Sequence, residues 1–89
     1  MSDLTPLSGL KSLETLDVGD CGKVNDLRPL AGLVSLGTLC ISGCKAVSDL
    51  RPLHGLASLH SLLLGGCDGI SNEAVAALKA SLPNLKIYR

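Results

Sequence analysis

The chain has 89 residues, enough for one domain, and its eight Lys and Arg balance eight Asp and Glu to a formal net charge of zero. With one Tyr and neither Trp nor Phe, this composition excludes the basic surface of a nucleic-acid binder and the stacking platforms of a single-strand binder. There is no 18-residue apolar run, and MSDLTPLSGL lacks the cationic start and long apolar centre of a signal peptide, so a cytoplasmic protein with reduced thiols and no membrane partner is expected.

In chain order, one 23-residue unit is written three times, over 3–25, 26–48 and 49–71, and a variant closes the chain over 72–89. Leucine fills five columns: Leu4, Leu27 and Leu50; Leu7, Leu30 and Leu53; Leu10, Leu33 and Leu56; Leu13, Leu36 and Leu59; Leu16, Leu39 and Leu62. Val18, Ile41 and Leu64 form another, followed by Cys21, Cys44 and Cys67, then by Val24, Val47 and Ile70. A fixed period in this range is the mark of a solenoid, in which each unit buries its apolar face only by stacking on its neighbours.

Each unit contains two apolar residues separated by one, as in Leu39 and Ile41, the spacing of a short half-buried strand. About 20 residues separate successive strands, which is too long for a hairpin and suits a parallel crossover. Alternation then points Thr15 and Asp17, Thr38, Cys40 and Ser42, and Ser61 and Leu63 away from the core. On the opposite side, DLxPLxGL predicts a short 3₁₀ turn. Asp26 and Asp49 are expected to cap it, Pro29 and Pro52 to preset it, and Gly32 and Gly55 to end it free of a Cβ penalty. In the last segment SNEAVAALKASLPN replaces the proline turn. Ser71 or Asn72 caps a true α-helix whose Val75, Leu78 and Leu82 share one face before Pro83 stops it. Leu85 and Ile87 lie 23 residues after Leu62 and Leu64, which predicts a fourth strand that adds Lys86 and Tyr88 to the outward face.

The segments LETLDVGDC, LGTLCISGC and LHSLLLGGC resemble the LxxLxLxxN/C strand and turn of the leucine-rich repeat family, along essentially the whole chain. DLxPLxGL resembles the convex stretch of internalin-like repeats. The cysteine column resembles the cysteine-containing subtype, and the 23-residue hybrid is also similar to trypanosomatid repeats. The resemblance implies an α/β solenoid: a right-handed superhelix with one parallel sheet of about four strands on its concave face, 3₁₀ turns on the convex face and a C-terminal helix. It also implies a protein-interaction scaffold that takes a partner on the concave residues Thr15, Asp17, Thr38, Cys40, Ser42, Ser61, Leu63, Lys86 and Tyr88.

Chemistry beyond binding finds little support in the residues. Cys21, Cys44 and Cys67 lack the close pairs of a zinc site, so they read as buried structural thiols whose S–H can serve a turn carbonyl or amide; no metal is expected. Cys40, turned outward, is the thiol open to reagents. His54 and His60 fall at unrelated positions, GGCDG is no phosphate loop, and no nucleophile and base pair is evident, so neither an enzyme nor a cofactor is expected. Arg28 and Arg51 repeat on the convex side with Asp26 and Asp49 close enough to offset them. Asp3, Glu14, Asp17 and Asp20 mark one end, and Lys79, Lys86 and Arg89 the other. The chain starts within a unit, with no strand before the first one. An assembly element, self-associating through uncapped ends, or an excerpt of a longer array is therefore the alternative expectation.

Overall fold

The computed structural model describes Leu4, residues 7–19, Gly22 and residues 24–89; Asp3, Asp20 and Cys21 lie outside the described residues. Four short strands, β1 (Thr15–Asp17), β2 (Thr38–Cys40), β3 (Ser61–Leu63) and β4 (Lys86–Tyr88), form one parallel sheet in chain order. Leu16 pairs with Leu39, Leu39 with Leu62, and Leu62 with Ile87. Among the described residues, the 3₁₀ turns Arg28–Leu30 and Arg51–Leu53 and the helix α1 (Asn72–Ser81) occupy the opposite side.

The 23-residue period has a simple construction. From Leu39 the apolar column advances by two residues to Ile41 and then by three at a time through Cys44, Val47, Leu50, Leu53, Leu56 and Leu59 to Leu62. The two-residue step is the strand; the three-residue steps match a 3₁₀ turn, in which positions i and i+3 eclipse. The backbone uses the same steps. Leu53, Leu56 and Leu59 each donate an amide to the carbonyl three residues before, at 3.0, 3.1 and 2.9 Å, as do Leu30, Leu33 and Leu36. Residues that fill the core thus also close the arc, and Leu33, Leu36, Leu39, Ile41, Leu53, Leu56 and Leu62 are fully buried.

The expected offset of 23 residues for the fourth strand does not hold. It would set Leu85 against Leu62, whereas Ile87 takes that place, an offset of 25. The cause is the helix, which needs 3.6 residues per turn where a 3₁₀ turn needs three. The apolar column passes from Ile70 through Ala74, Leu78 and Leu82 in steps of four, and then shortens by one between Leu85 and Ile87. Leu85 accordingly takes the column of Leu59, its amide bonded to the Leu82 carbonyl at 3.0 Å.

Two other expectations are corrected. Asp26 and Asp49 do not sit at the N-cap, which is Leu27 or Leu50; each accepts the amide two residues on, from Arg28 at 2.9 Å and Arg51 at 3.0 Å. The proline at the next position fixes the turn, so the carboxylate caps from one residue further out. Gly32 and Gly55 do not adopt positive φ. That conformation belongs to Gly43 (φ 80°) and Gly66 (φ 77°), at the turns leaving β2 and β3, where a glycine carries no Cβ penalty. The helix follows its signals: the Ser71 side chain accepts from the Ala74 amide at 3.1 Å, Leu78 is buried, and Val75 and Leu82 pack against the core.

Candidate binding face

Because the pairing is in register, the outward side chains of the four strands form two straight rows. One row runs Thr15, Thr38, Ser61, Lys86; the other runs Asp17, Cys40, Leu63, Tyr88. The inner strands leave Thr38, Cys40, Ser61 and Leu63 half-buried, while Thr15, Asp17, Lys86 and Tyr88 are exposed on the outer ones. The first row is hydroxyl-bearing until it ends in an ammonium. The second passes from a carboxylate through a thiol to apolar surface, with the Tyr88 ring the largest exposed group on it.

Three local contacts fix this surface. Asp17 Oδ1 accepts the Gly19 amide at 2.8 Å, which steadies the carboxylate at the end of β1. The Cys40 thiol donates to Ser42 Oγ at 3.6 Å, so Ser42, half-buried beyond the end of β2, lies just past the second row in the strand direction. His60 Nδ1 lies 3.1 Å from Ser61 Oγ, and the ring covers Gly37 so closely that a Cβ there would come within 2.9 Å of Nε2. Glu14, Gly37, His60, Ser35 and Ser58 thereby frame a shallow polar hollow at the amino-terminal ends of the strands. A histidine two units away from a glutamate, with glycine between, has no motif that would have pointed to this hollow.

The other candidates are dispersed. Cys44 and Cys67 are buried and hold the stack together: each thiol donates to a carbonyl of the preceding unit, Val18 at 3.1 Å and Ile41 at 2.9 Å. Burial pushes the Cys67 thiol up from its ordinary range, against the opposing pull of the Cys44 and Gly43 backbone amides. His54 Nδ1 faces Ser81 Oγ at 2.8 Å on the convex side, away from His60. Among the described residues, no group of three or more His, Cys, Asp and Glu converges. Arg28 folds onto Asp26 at 2.8 Å and Arg51 onto Asp49 at 3.0 Å; these hydrogen bonds hold both carboxyls below, and both guanidinium groups above, their usual values. All four are solvent-exposed, so the pairs shape the surface more than they stabilise it.

The two ends of the stack differ. At the β1 end Leu10 is 47% exposed, whereas its equivalents Leu33 and Leu56 are fully buried, and Leu7, Leu13 and Leu16 are only partly covered. At the β4 end two of the three cations are used internally. Lys79 donates to the Leu85 carbonyl, and Arg89 to Asn72 Oδ1 at 2.9 Å and the Ile70 carbonyl at 3.0 Å, while Lys86 is exposed on the sheet.

Neither a protein-family model nor a curated protein sequence matches the chain. Solved structures do. The internalin InlF of Listeria monocytogenes matches at 29% identity and a TM-score of 0.80, over 98% of this chain and 24% of its own. Internalin C2 of the same organism matches at 28% identity and a TM-score of 0.51, over 98% of this chain and 46% of its own. This is a leucine-rich repeat chain. Its parallel sheet, 3₁₀ turns and final helix are the elements of a leucine-rich repeat solenoid, and it spans less than half the length of either internalin. No helix among the described residues of the leucine-rich repeat chain is long and apolar enough to cross a membrane.

Proposed function

We propose that this leucine-rich repeat chain is a protein-recognition module that takes its partner across the concave sheet. The internalin-like fold is that of a protein-interaction scaffold at the general level. The observation that carries the finer reading is the strict register of β1 to β4, which places eight outward side chains in two rows on one rigid surface. The partner is a protein rather than nucleic acid or membrane, in keeping with zero net charge and a single aromatic residue, and no cofactor or catalytic step enters the reading. A reducing, cytoplasmic setting suits thiols that must keep their hydrogens to bridge adjacent units. Selection of binders from a displayed protein library tests the reading. Binders should be lost with Leu63→Asp combined with Tyr88→Ala and retained with Lys45→Glu in the turn beyond β2; the reverse pattern defeats it.

A second reading is favoured by the uncovered Leu10 and partly covered Leu7, Leu13 and Leu16: head-to-tail association that stacks the β4 end of one copy on the β1 end of another. Light scattering across a concentration series, at low and high salt, decides it. Lys86→Glu is the informative variant, because Arg89→Glu would also break the bonds to Ile70 and Asn72. A monomer under every condition defeats this second reading.

A further inference from the structure

We infer that the concave face is built for an extended peptide segment that presents a basic side chain and, four residues away on the same side, a large apolar one, with the cation over β1 and the apolar group over β3 and β4. This rests on the concave face being the binding face and adds the chemistry of what it binds.

The side chains of the second row stand in a fixed order. Register sets Asp17, Cys40, Leu63 and Tyr88 on four adjacent strands, so a ligand crossing the strands meets them in that sequence. Adjacent strands lie about 4.8 Å apart, which puts Asp17 and Tyr88 about 14 Å from each other along the row. An extended chain rises about 3.3 Å per residue and turns every second side chain to the same side. Residues i, i+2 and i+4 of such a segment therefore span about 13 Å, matching the row from end to end. Position i lies over Asp17, i+2 over the half-buried Cys40, and i+4 against Leu63 and Tyr88.

Charge fixes the polarity. Glu14 and Asp17 are both exposed beside β1 and supply two negative charges there. At the opposite end Lys86 is exposed next to Tyr88 and repels a cation brought to the apolar end. A ligand with the reversed order would leave its cation beside Lys86 and its apolar group beside two carboxylates, so both ends select against it. Between them Thr38 and Ser61 offer hydroxyls to the backbone of the segment. Because side-chain order rather than chain direction is read, the motif is basic-x-x-x-apolar or its reverse along the sequence.

The experiment uses the intact chain and a display library of random heptapeptides, with amide chemical shifts mapping where a selected peptide sits. The expected result is enrichment of Lys or Arg four positions from Leu, Ile, Phe or Tyr, with shifts confined to β1 through β4. Asp17→Lys should weaken that peptide by about three- to tenfold, the range for reversing one exposed charge pair, and reselection should return Asp or Glu at the basic position. Leu63→Asp should cost more than about tenfold and Lys45→Glu should change nothing; Asp17→Asn serves if the reversal disturbs folding. Peptides that map to the sheet yet ignore the charge at position 17 overturn this inference and leave the concave reading standing. Peptides that map to the convex side or the β1 edge overturn both. Enrichment of no peptide also overturns the inference, since a linear segment is then not what the face takes.

Discussion

The column Leu10, Leu33 and Leu56 offers one substitution in three chemically equal positions that differ only in whether a neighbour covers them. Leu33→Ala and Leu56→Ala each remove a fully buried side chain from between stacked units. Such substitutions cost about 3 to 5 kcal/mol, the lost transfer energy plus the cavity left behind. Leu10 is 47% exposed, so about half of the roughly 1.5 to 3 kcal/mol for burying a leucine is realised there, and truncation opens no closed cavity. Leu10→Ala should therefore cost about 1 kcal/mol. A domain of 89 residues has roughly 4 to 13 kcal/mol in total, so the two inner variants lose a large share and the outer one does not. In urea unfolding followed by circular dichroism, with a slope of about 1 kcal/mol/M, the inner midpoints should fall by roughly 3 M or more and the outer one by about 1 M. Equal losses at all three positions in a sample shown to be monomeric would refute the reasoning. Equal losses that grow with protein concentration would instead point to a second copy covering Leu10.

Leu39→Asp, which buries an unpaired carboxylate between β1 and β3, should abolish the native circular dichroism signal, whereas Leu63→Asp, one strand over and facing outward, should leave a folded chain; equal damage would contradict the alternation along the strands. Cys44→Ser should cost about 1 to 3 kcal/mol and Cys40→Ser little, and a thiol reagent on the native protein should modify Cys40 well before Cys44 and Cys67. The raised Cys67 value means that the folded chain keeps its thiol proton longer than the unfolded one, so this contribution to stability is intact below the ordinary thiol range and lost as pH rises through the folded value. Urea midpoints at pH 7 and pH 10 should therefore differ less in Cys67→Ala than in the parent chain. Gly66→Ala, at φ 77°, should destabilise by about 1 kcal/mol or more, while Gly55→Ala, where a new Cβ would touch nothing, should be neutral or gain about 0.4 to 1 kcal/mol in thermal unfolding.

The sequence made the sheet legible because its signal is repeated: Leu16, Leu39 and Leu62 fall in one column, and the structure pairs them in that order. Cys44 and Cys67 are buried donors to carbonyls of the preceding unit, in the column that the period marks. Legibility failed where local geometry changes the count. Leu85 and Ile87 keep the LxxLxL spelling at 23 residues, yet α1 takes up extra chain and displaces the strand by two. Gly32 and Gly55 look like turn terminators because glycine often is one, but Gly43 and Gly66 are the glycines that adopt positive φ. On the concave sheet, alternation gave the outward residues. The placing of Tyr88 opposite Leu63, on which the row's apolar end depends, required the true offset.

Replacing a 3₁₀ turn by α1 has a geometric outcome at the β4 end. Strands are held about 4.8 Å apart by their hydrogen bonds, but a helix with its side chains is about 10 to 12 Å across. Where two 3₁₀ turns adjoin, the outer layer can nearly keep pace with the sheet. Where α1 packs beside Arg51–Leu53, it needs about 5 Å more than the strands beneath it allow. Across a depth of about 10 Å that excess acts as a wedge of roughly 25 to 30 degrees. Such a wedge falls between β3 and β4, beyond the stretch from Thr38 to Ser61 that two adjoining 3₁₀ turns back, and would raise Lys86 and Tyr88 above the level of the strands before them.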